Sequence, residues 1–358
     1  MRFERFALVA LFACQLFASE KFFVVERESS SLAVVQDSKV EAKIRDMNDM
    51  NHGVIKFFQK DGYAITRDGF VIKFDTQNYK IISKYKTSKS AIGFVVESDF
   101  VAVANYDDKS VDILDRDLKP LQKIGTNSRN VGIKTYKDYL VFSEMDNDTI
   151  TVLKKNPDKD PFFVLEKQFE NVGIMPFDAM IDGKNYINGF FKSDHFGVVD
   201  LEKMEFKKIK IFTQNNKQVL KVPHFGFWGI SQKNIFIPAV GDNKILVYSN
   251  NFEFVKNIEV LGLPVFASLS PDAKYVAVTF SGKDFPSLQI VDTETLEVVK
   301  EYKFDGKVLH VRWSEEKPNL LVSVNDTNKI SVINTKSWEI SKEIFNVEKP
   351  SGIFLLRE

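Results

Sequence analysis

Two of the four histidines in the sequence stand directly before runs of apolar, strand-forming residues. His52 precedes the run GVIKFF, and His224 follows Pro223 and precedes FGFWGI. An imidazole can ligate a metal ion, and it can act as an acid or a base near neutral pH. A lone histidine at a strand end is more often structural. Two histidines at matching positions of a repeated pattern favour a shared site.

Three arginines occupy turns that are predicted near these histidines. Arg27, in VVERESS, and Arg67, in AITRDG, each end a strand, and Arg129, in NSRNVG, precedes one. The planar guanidinium group matches a carboxylate with two parallel hydrogen bonds, so the three would suit a polycarboxylate ligand. The alternative is that each is an ordinary surface residue. His195, in KSDHFG, falls in a similar loop, and His310 lies within a strand, so both are secondary candidates.

The elements that must position these residues repeat along the chain. The first strands of the repeats are predicted to begin, 38 to 48 residues apart, at Gly53, Ala91, Val131, Phe177, Phe225, Val265, Val308 and Ser351. Each is followed by short polar turns and further strands, as in VAVANYDDKSVDIL and LVFSEMDNDTITVL. A repeat of four antiparallel strands about every 40 to 45 residues is typical of the blades of a propeller. A pair of β-sandwiches also has short strands and frequent turns, but the regular spacing favours the propeller.

The two ends of the chain complement each other. FFVVER and SLAVVQ read as second and third strands without a first, and SGIFLL reads as a first strand alone. Their pairing would complete an eighth blade and protect the open sheet edges. We therefore predict an all-β, eight-bladed β-propeller over residues 20–358, closed as one domain by the C-terminal strand. Four blades apart, His52 and His224 would then face each other across the channel mouth.

Composition excludes several classes of function. Lys and Arg together number 49, as do Asp and Glu, so no basic field draws the protein to nucleic acid. The single cysteine, Cys14, excludes a disulfide framework and a cysteine metal site. Phosphate-binding loops, dinucleotide fingerprints, zinc-protease and serine-hydrolase motifs are also absent from the sequence.

The N-terminus is predicted to be a targeting segment. MRFER is a basic region and FALVALFACQLFA an apolar one, which together predict a signal peptide over residues 1–19 and export to the periplasm. Leu11-Phe12-Ala13-Cys14 resembles a bacterial lipobox, in which Cys14 would be lipidated and would anchor the protein to a membrane. Cleavage after Ala18 or Ser19 is the alternative, and the sequence leaves both open.

The repeats also carry a family resemblance that covers about residues 22–357. FVVERESSSLAVV, VAVANYDDKSVDILD, PFDAM, KVPHFGFWGI, IFIPAVGDNK, PVFASLSPD, VLHVRW and PSGIF resemble, in the same order, the NirF family of periplasmic haem d1 biosynthesis proteins. That family is related to the d1 domain of cytochrome cd1 nitrite reductase. The resemblance implies an eight-bladed propeller that binds a d1-type haem or its precursor over the channel.

The resemblance also implies roles for particular residues. His52 matches the histidine that ligates the haem iron axially, and His224 matches a histidine on the other side of the macrocycle, which makes His224 the candidate catalytic residue. Arg27, Arg67 and Arg129 match positions where arginines approach the carboxylates of the ligand.

Two departures from the reductase limit the functional prediction. Its second distal histidine aligns with Val265 or Phe266, which argues against nitrite reduction. A CxxCH motif is absent, so no c-type haem is expected.

The alternatives that remain are an enzyme acting on a late haem d1 precursor, a non-catalytic carrier or chaperone of the tetrapyrrole, and a protein-interaction propeller without a cofactor. Nitrite reductase and other haem d1 maturation proteins are the partners that the resemblance suggests, and a homodimer is also open.

Overall fold

The computed structural model describes residues 20–156, 160–211, 229–281 and 284–357, and every regular element in these ranges is a β-strand. The strands of the first half are β1 (Lys21–Glu26), β2 (Ser31–Gln36), β3 (Lys39–Ile44), β4 (Val54–Phe58), β5 (Asp61–Ile65), β6 (Phe70–Asp75), β7 (Ile81–Lys86), β8 (Ala91–Val96), β9 (Val101–Asn105), β10 (Ser110–Leu114), β11 (Pro120–Gly125), β12 (Asn130–Tyr136), β13 (Tyr139–Glu144), β14 (Thr149–Lys155), β15 (Phe163–Phe169) and β16 (Pro176–Asp182). Those of the second half are β17 (Asn185–Phe190), β18 (His195–Asp200), β19 (Glu205–Lys210), β20 (Gly229–Ile230), β21 (Asn234–Ala239), β22 (Lys244–Ser249), β23 (Phe254–Glu259), β24 (Pro264–Leu269), β25 (Tyr275–Phe280), β26 (Ser287–Asp292), β27 (Glu297–Lys303), β28 (Val308–Trp313), β29 (Asn319–Val324), β30 (Lys329–Asn334), β31 (Glu339–Ile344) and β32 (Pro350–Leu356).

Short polar turns fold consecutive strands back on each other. Between β21 and β22, the N–H of Asp242 donates to the carbonyl of Ala239 at 3.0 Å, and Asn243 adopts a φ of 48°. Asparagine tolerates this left-handed conformation better than most residues, because its short side chain can hydrogen-bond locally. The turn GDNK therefore reverses the chain between two apolar strands, as its sequence predicts.

The strands form eight antiparallel sheets of four strands, which we number as blades 1 to 8. Blade 1 has the order β32-β1-β2-β3, and blades 2 to 8 take consecutive groups of four from β4–β7 to β28–β31. The second strands are buried on both faces, as every residue of β9 shows, whereas the outermost strands alternate or are largely exposed, as in β7 and β31. The first strands thus form the inner ring around the channel.

The C-terminal strand closes the ring, as the sequence predicts. Strand β32 pairs antiparallel with β1 from Lys21 opposite Leu356 to Glu26 opposite Pro350, with one irregularity between Val24 and Glu26. The carboxylate of Glu26 is fully buried, and it accepts a hydrogen bond from the backbone N–H of Glu348 at 2.8 Å. The first and the last strand are therefore held in one blade.

The apolar core is divided among the contacts between successive blades. Eight clusters of buried side chains each join two neighbouring blades, and the eight together go once around the ring. The closing cluster packs Leu321, Ile330 and Val332 of blade 8 against Val24 and Ile353 of blade 1. This continuous ring of contacts distinguishes the propeller from a pair of sandwiches. Among the described residues, no helix is long and apolar enough to cross a membrane.

Candidate ligand-binding site at the channel mouth

A cavity of about 1150 Å³ opens at one end of the channel. Its lining comes from the first residues of the inner strands and from the residues that follow the second strands. In blades 1 to 5 the latter positions are occupied by Arg27, Arg67, Tyr106, Met145 and Phe191. Arg27 and Arg67, which the sequence predicts in neighbouring blades on the channel face, thus both line this cavity. At these positions blades 1 and 2 carry arginines, whereas blades 4 and 5 carry apolar side chains.

His52 lies at the rim of this cavity, two residues before the inner strand of blade 2. It has a φ of 62°, and the N–H of the next residue, Gly53, donates to the carbonyl of Met50 at 2.9 Å in a tight turn. Its ring makes no hydrogen bond to any residue that the structure describes. Partial desolvation and the positive charges of Arg27 and Arg67 lower the pKa of His52, with Asp49 opposing them. The imidazole is therefore neutral at pH 7, and its lone pair can coordinate a metal.

Arg27 lines the cavity through its guanidinium group. Its Nε atom is buried, and within the described ranges it has no hydrogen-bond partner. Burial lowers the pKa of this guanidinium, while the carboxylate of Asp49 acts in the opposite direction. A buried donor without a partner is costly, and a charged one more so. An anionic group bound in the cavity beside the guanidinium would offset the cost of burying its charge.

The other two arginines differ in how far they are already paired. Arg67 lies over the ring of Tyr106, with 5.9 Å between its guanidinium carbon and the ring centroid. Arg129 also lies over this ring, at 5.2 Å, and its Nη1 donates to the Tyr106 hydroxyl at 3.0 Å. The rest of its fork binds Asp146, with Nε to Oδ1 at 2.8 Å, and this contact raises the pKa of Arg129. Arg129 lines the cavity, but it is engaged with a protein carboxylate.

The two secondary histidines serve the protein's own packing. His195 directs Nε2 to the carbonyl of Val172 at 2.8 Å and does not line the cavity. His310 does line it, but its ring is buried, and burial together with the charge of Arg312 lowers its pKa to about 3. The Nδ1 atom of His310 accepts a hydrogen bond from the N–H of Ile353 at 3.3 Å. Within the described ranges, no group of three His, Cys, Asp or Glu side chains could hold a metal ion.

His224 lies outside the described residues, as does most of the predicted first strand of blade 6, of which Gly229–Ile230 is described. The predicted position of His224 across the channel from His52 therefore stays a prediction. Val265 and Phe266, one of which aligns with the second distal histidine of the reductase according to the resemblance, both line the cavity. An apolar side chain thus occupies that wall.

Several lining residues escaped sequence reasoning. Tyr106, Met145 and Phe191 stand at the position where Arg27 and Arg67 were found, directly after a second strand. The position after the second strand, compared across all blades, therefore predicts these lining residues as well. Lys56, Lys134, Met175 and Phe177 lie on or beside inner strands and carried no such signal.

Comparisons with known proteins agree on one family. The family described as "Cytochrome D1 heme domain" matches residues 18–358. The chain is 28% identical to Protein NirF of Stutzerimonas stutzeri, over 92% of this chain and 90% of the relative. It is 24% identical to the dihydro-heme d1 dehydrogenase of Pseudomonas aeruginosa, over 92% of this chain and 70% of the relative. The solved structure of dihydro-heme d1 dehydrogenase NirN in complex with DHE superposes with a TM-score of 0.81 at 21% identity, covering 93% of this chain and 74% of that one.

Proposed function

Since the chain belongs to the cytochrome D1 heme domain family, we propose that it is a haem d1 biosynthesis protein that binds a d1-type tetrapyrrole, a late precursor or haem d1 itself, in the cavity at the channel mouth. The similarity to NirF over nine tenths of both chains supports a role in making the cofactor. The relative named dihydro-heme d1 dehydrogenase supports a late step of the same biosynthesis.

The observation that carries this proposal is that His52, Arg27 and Arg67 line the same cavity, where the two arginines help to lower the pKa of the imidazole. A macrocycle with an iron centre and carboxylate side chains would use an imidazole for the iron and arginines for the carboxylates. The apolar wall around Met145, Phe177 and Phe191 would cover the face of the ring. The volume of the cavity, about 1150 Å³, suits a large ligand such as a tetrapyrrole. Small-molecule pockets usually measure roughly 300–1,000 Å³.

We assign His52 as the residue that would hold the haem iron and His224 as a second residue that would act on the macrocycle. The bound iron tetrapyrrole would supply redox chemistry and a coordination site. The chain's own groups bind and orient it, and Arg27 and Arg67 are assigned to its carboxylates. Arg129 would act mainly by holding Tyr106, because its fork already binds Asp146.

The sequence supports a further proposal about the compartment and the partners. We propose export to the periplasm by the signal peptide, with Cys14 lipidated or removed with it. Nitrite reductase or another haem d1 maturation protein would receive the ligand. These assignments rest on the sequence and on the family resemblance.

An absorption titration tests ligand binding. Purified protein is titrated with haem d1 extracted from a nitrite reductase, alongside the His52→Ala and His195→Gln variants. We expect a bound spectrum that changes in His52→Ala, because the axial ligand sets the electronic state of the iron. His195→Gln is the matched control, since His195 lies outside the cavity, and it should keep the wild-type spectrum. The absence of any spectral change with folded wild-type protein would refute the proposal.

Complementation in cells separates an enzyme from a carrier. If His224 is a catalytic acid or base, His224→Ala should bind haem d1 and yet fail to support its formation. If the protein is a carrier, the same variant should complement for as long as its affinity survives. Loss of both binding and complementation would instead make His224 a ligand-binding residue.

A further inference from the structure

Lys56 is a charged side chain inside the channel that the proposed assignments leave unused. It is the third residue of the inner strand β4 and lines the cavity. Its ammonium lies over the ring of Phe94, 5.6 Å from the centroid. Within the described ranges it makes no hydrogen bond and no ion pair.

The neighbouring charged groups are committed elsewhere. Lys134, from the inner strand β12, forms an ion pair with Asp178 of β16 at 3.7 Å. The same Oδ1 of Asp178 accepts the N–H of Ala179 at 2.8 Å. Glu97, which follows β8, accepts a hydrogen bond from the hydroxyl of Thr135. Both carboxylates that face Lys56 therefore have other partners, whereas Lys134 adds a like charge.

The environment of Lys56 is unfavourable to its own charge. Desolvation and, after it, the charge of Lys134 lower the pKa of Lys56 to about 7, against the weaker pull of Glu97 and Asp178. Burying an ammonium group without a partner costs free energy, and an anion placed beside it would recover this cost. Binding of an anion and protonation of Lys56 are therefore coupled.

We propose that Lys56 is an anion-binding residue inside the channel, below the arginines of the rim, and that it receives a carboxylate of the bound tetrapyrrole or a small free anion. The first source rests on the proposed function, whereas the second does not. In either case the charged form binds. The affinity for the anion should be highest well below pH 7, where Lys56 is protonated in the free protein. Above pH 7 it should fall by up to about tenfold for each pH unit, until the pH reaches the higher pKa that Lys56 has in the complex.

Two probes distinguish the sources of the anion. Coproporphyrin III, an iron-free porphyrin with four carboxylates, is titrated by fluorescence from pH 6 to pH 9, and sodium phosphate alone is titrated by calorimetry. Because coproporphyrin III carries no iron, its binding does not report on His52. The variants are Lys56→Met and Lys56→Arg. Lys86→Met is the matched control, because Lys86 is exposed on the outer strand β7 of the same blade.

We expect wild-type protein and Lys86→Met to bind coproporphyrin about fivefold more weakly at pH 8 than at pH 6, and about tenfold more weakly at pH 9. Lys56→Met should bind about tenfold more weakly at pH 6 and lose the pH dependence. Lys56→Arg should keep its pH 6 affinity at pH 8, because a guanidinium group stays protonated. A denaturation curve confirms that each variant is folded.

The outcomes separate the two proposals. If Lys56→Met matches Lys86→Met at every pH with both probes, the inference is wrong and the proposed function stands. If folded wild-type protein binds no tetrapyrrole, the proposed function fails. Phosphate binding that is lost in Lys56→Met would then still support a small free anion, and no phosphate binding would refute the inference as well.

Discussion

Ile353 tests whether the C-terminal strand stabilises the whole ring. Its side chain is fully buried in the cluster between blades 8 and 1. Ile353→Ala would remove buried methyl and methylene groups from this cluster. The neighbouring Val24 and Val332 are held by their own strands, so they cannot move far enough to fill the space. A buried isoleucine truncated to alanine costs about 2–5 kcal/mol, because the cavity collapses only partly. We expect a loss in this range for the free energy of unfolding.

Ile340→Ala is the matched control. Ile340 lies on the outermost strand β31 of the adjoining blade, and 45% of its surface is exposed. Its truncation should change the free energy of unfolding by about 0.5 kcal/mol or less. Urea denaturation followed by far-UV circular dichroism and by tryptophan fluorescence measures both variants. Equal denaturation midpoints for Ile353→Ala and Ile340→Ala would refute the idea that this contact closes the ring.

Three further predictions concern the arginine rim, the core and the N-terminus. Arg27→Gln should weaken binding of haem d1 about 10- to 100-fold, since a hydrogen bond to a charged group contributes about 1.5–3 kcal/mol, and Arg45→Gln at an exposed position should not. Equal affinities in an absorption titration would contradict this. Tyr186→Phe should lower the free energy of unfolding by about 1–3 kcal/mol, because the buried hydroxyl donates to the carbonyl of Gly132 at 2.8 Å. An unchanged urea midpoint would contradict it. Intact-mass measurement of the exported chain should show either a lipidated Cys14 or a start near residue 20, and a chain that retains residues 1–19 would refute the signal peptide.

The fold was predictable because each blade repeats the same local pattern. Apolar runs separated by turn residues located every inner strand to within about a residue where it is described: the predicted starts at Gly53 and Val131 compare with Val54 and Asn130. The closing strand was predictable because the ends of the chain supplied complementary parts of one blade. Strand boundaries depend on individual hydrogen bonds, which no sequence pattern specifies to the residue.

The site was predictable only where a residue occupied a repeat position. Arg27 and Arg67 follow equivalent strands, so their shared face could be inferred. The pairing of Arg129 with Asp146 could not, because many acidic turns compete for one guanidinium group.

Lys56 was missed for a different reason, which concerns the register of the inner strands. Those of blades 1, 3, 4, 5, 7 and 8 each pair irregularly with the second strand, whereas β4 pairs without a break. An irregularity shifts the alternation of side chains between faces. The sequence alone does not reveal which inner strands pair irregularly. The face of the strand on which Lys56 lies could therefore not be predicted.

A symmetric ring gives an asymmetric ligand no preferred orientation, so orientation must come from positions where the blades differ. After the second strand, blades 1 and 2 carry Arg27 and Arg67, whereas blades 4 and 5 carry Met145 and Phe191. None of these four side chains belongs to the apolar clusters that join neighbouring blades. We therefore expect the carboxylate edge of a tetrapyrrole to lie over blades 1 and 2, beside His52. In this protein the strands stabilise the fold, and the residues that follow the second strands would determine the orientation of the ligand.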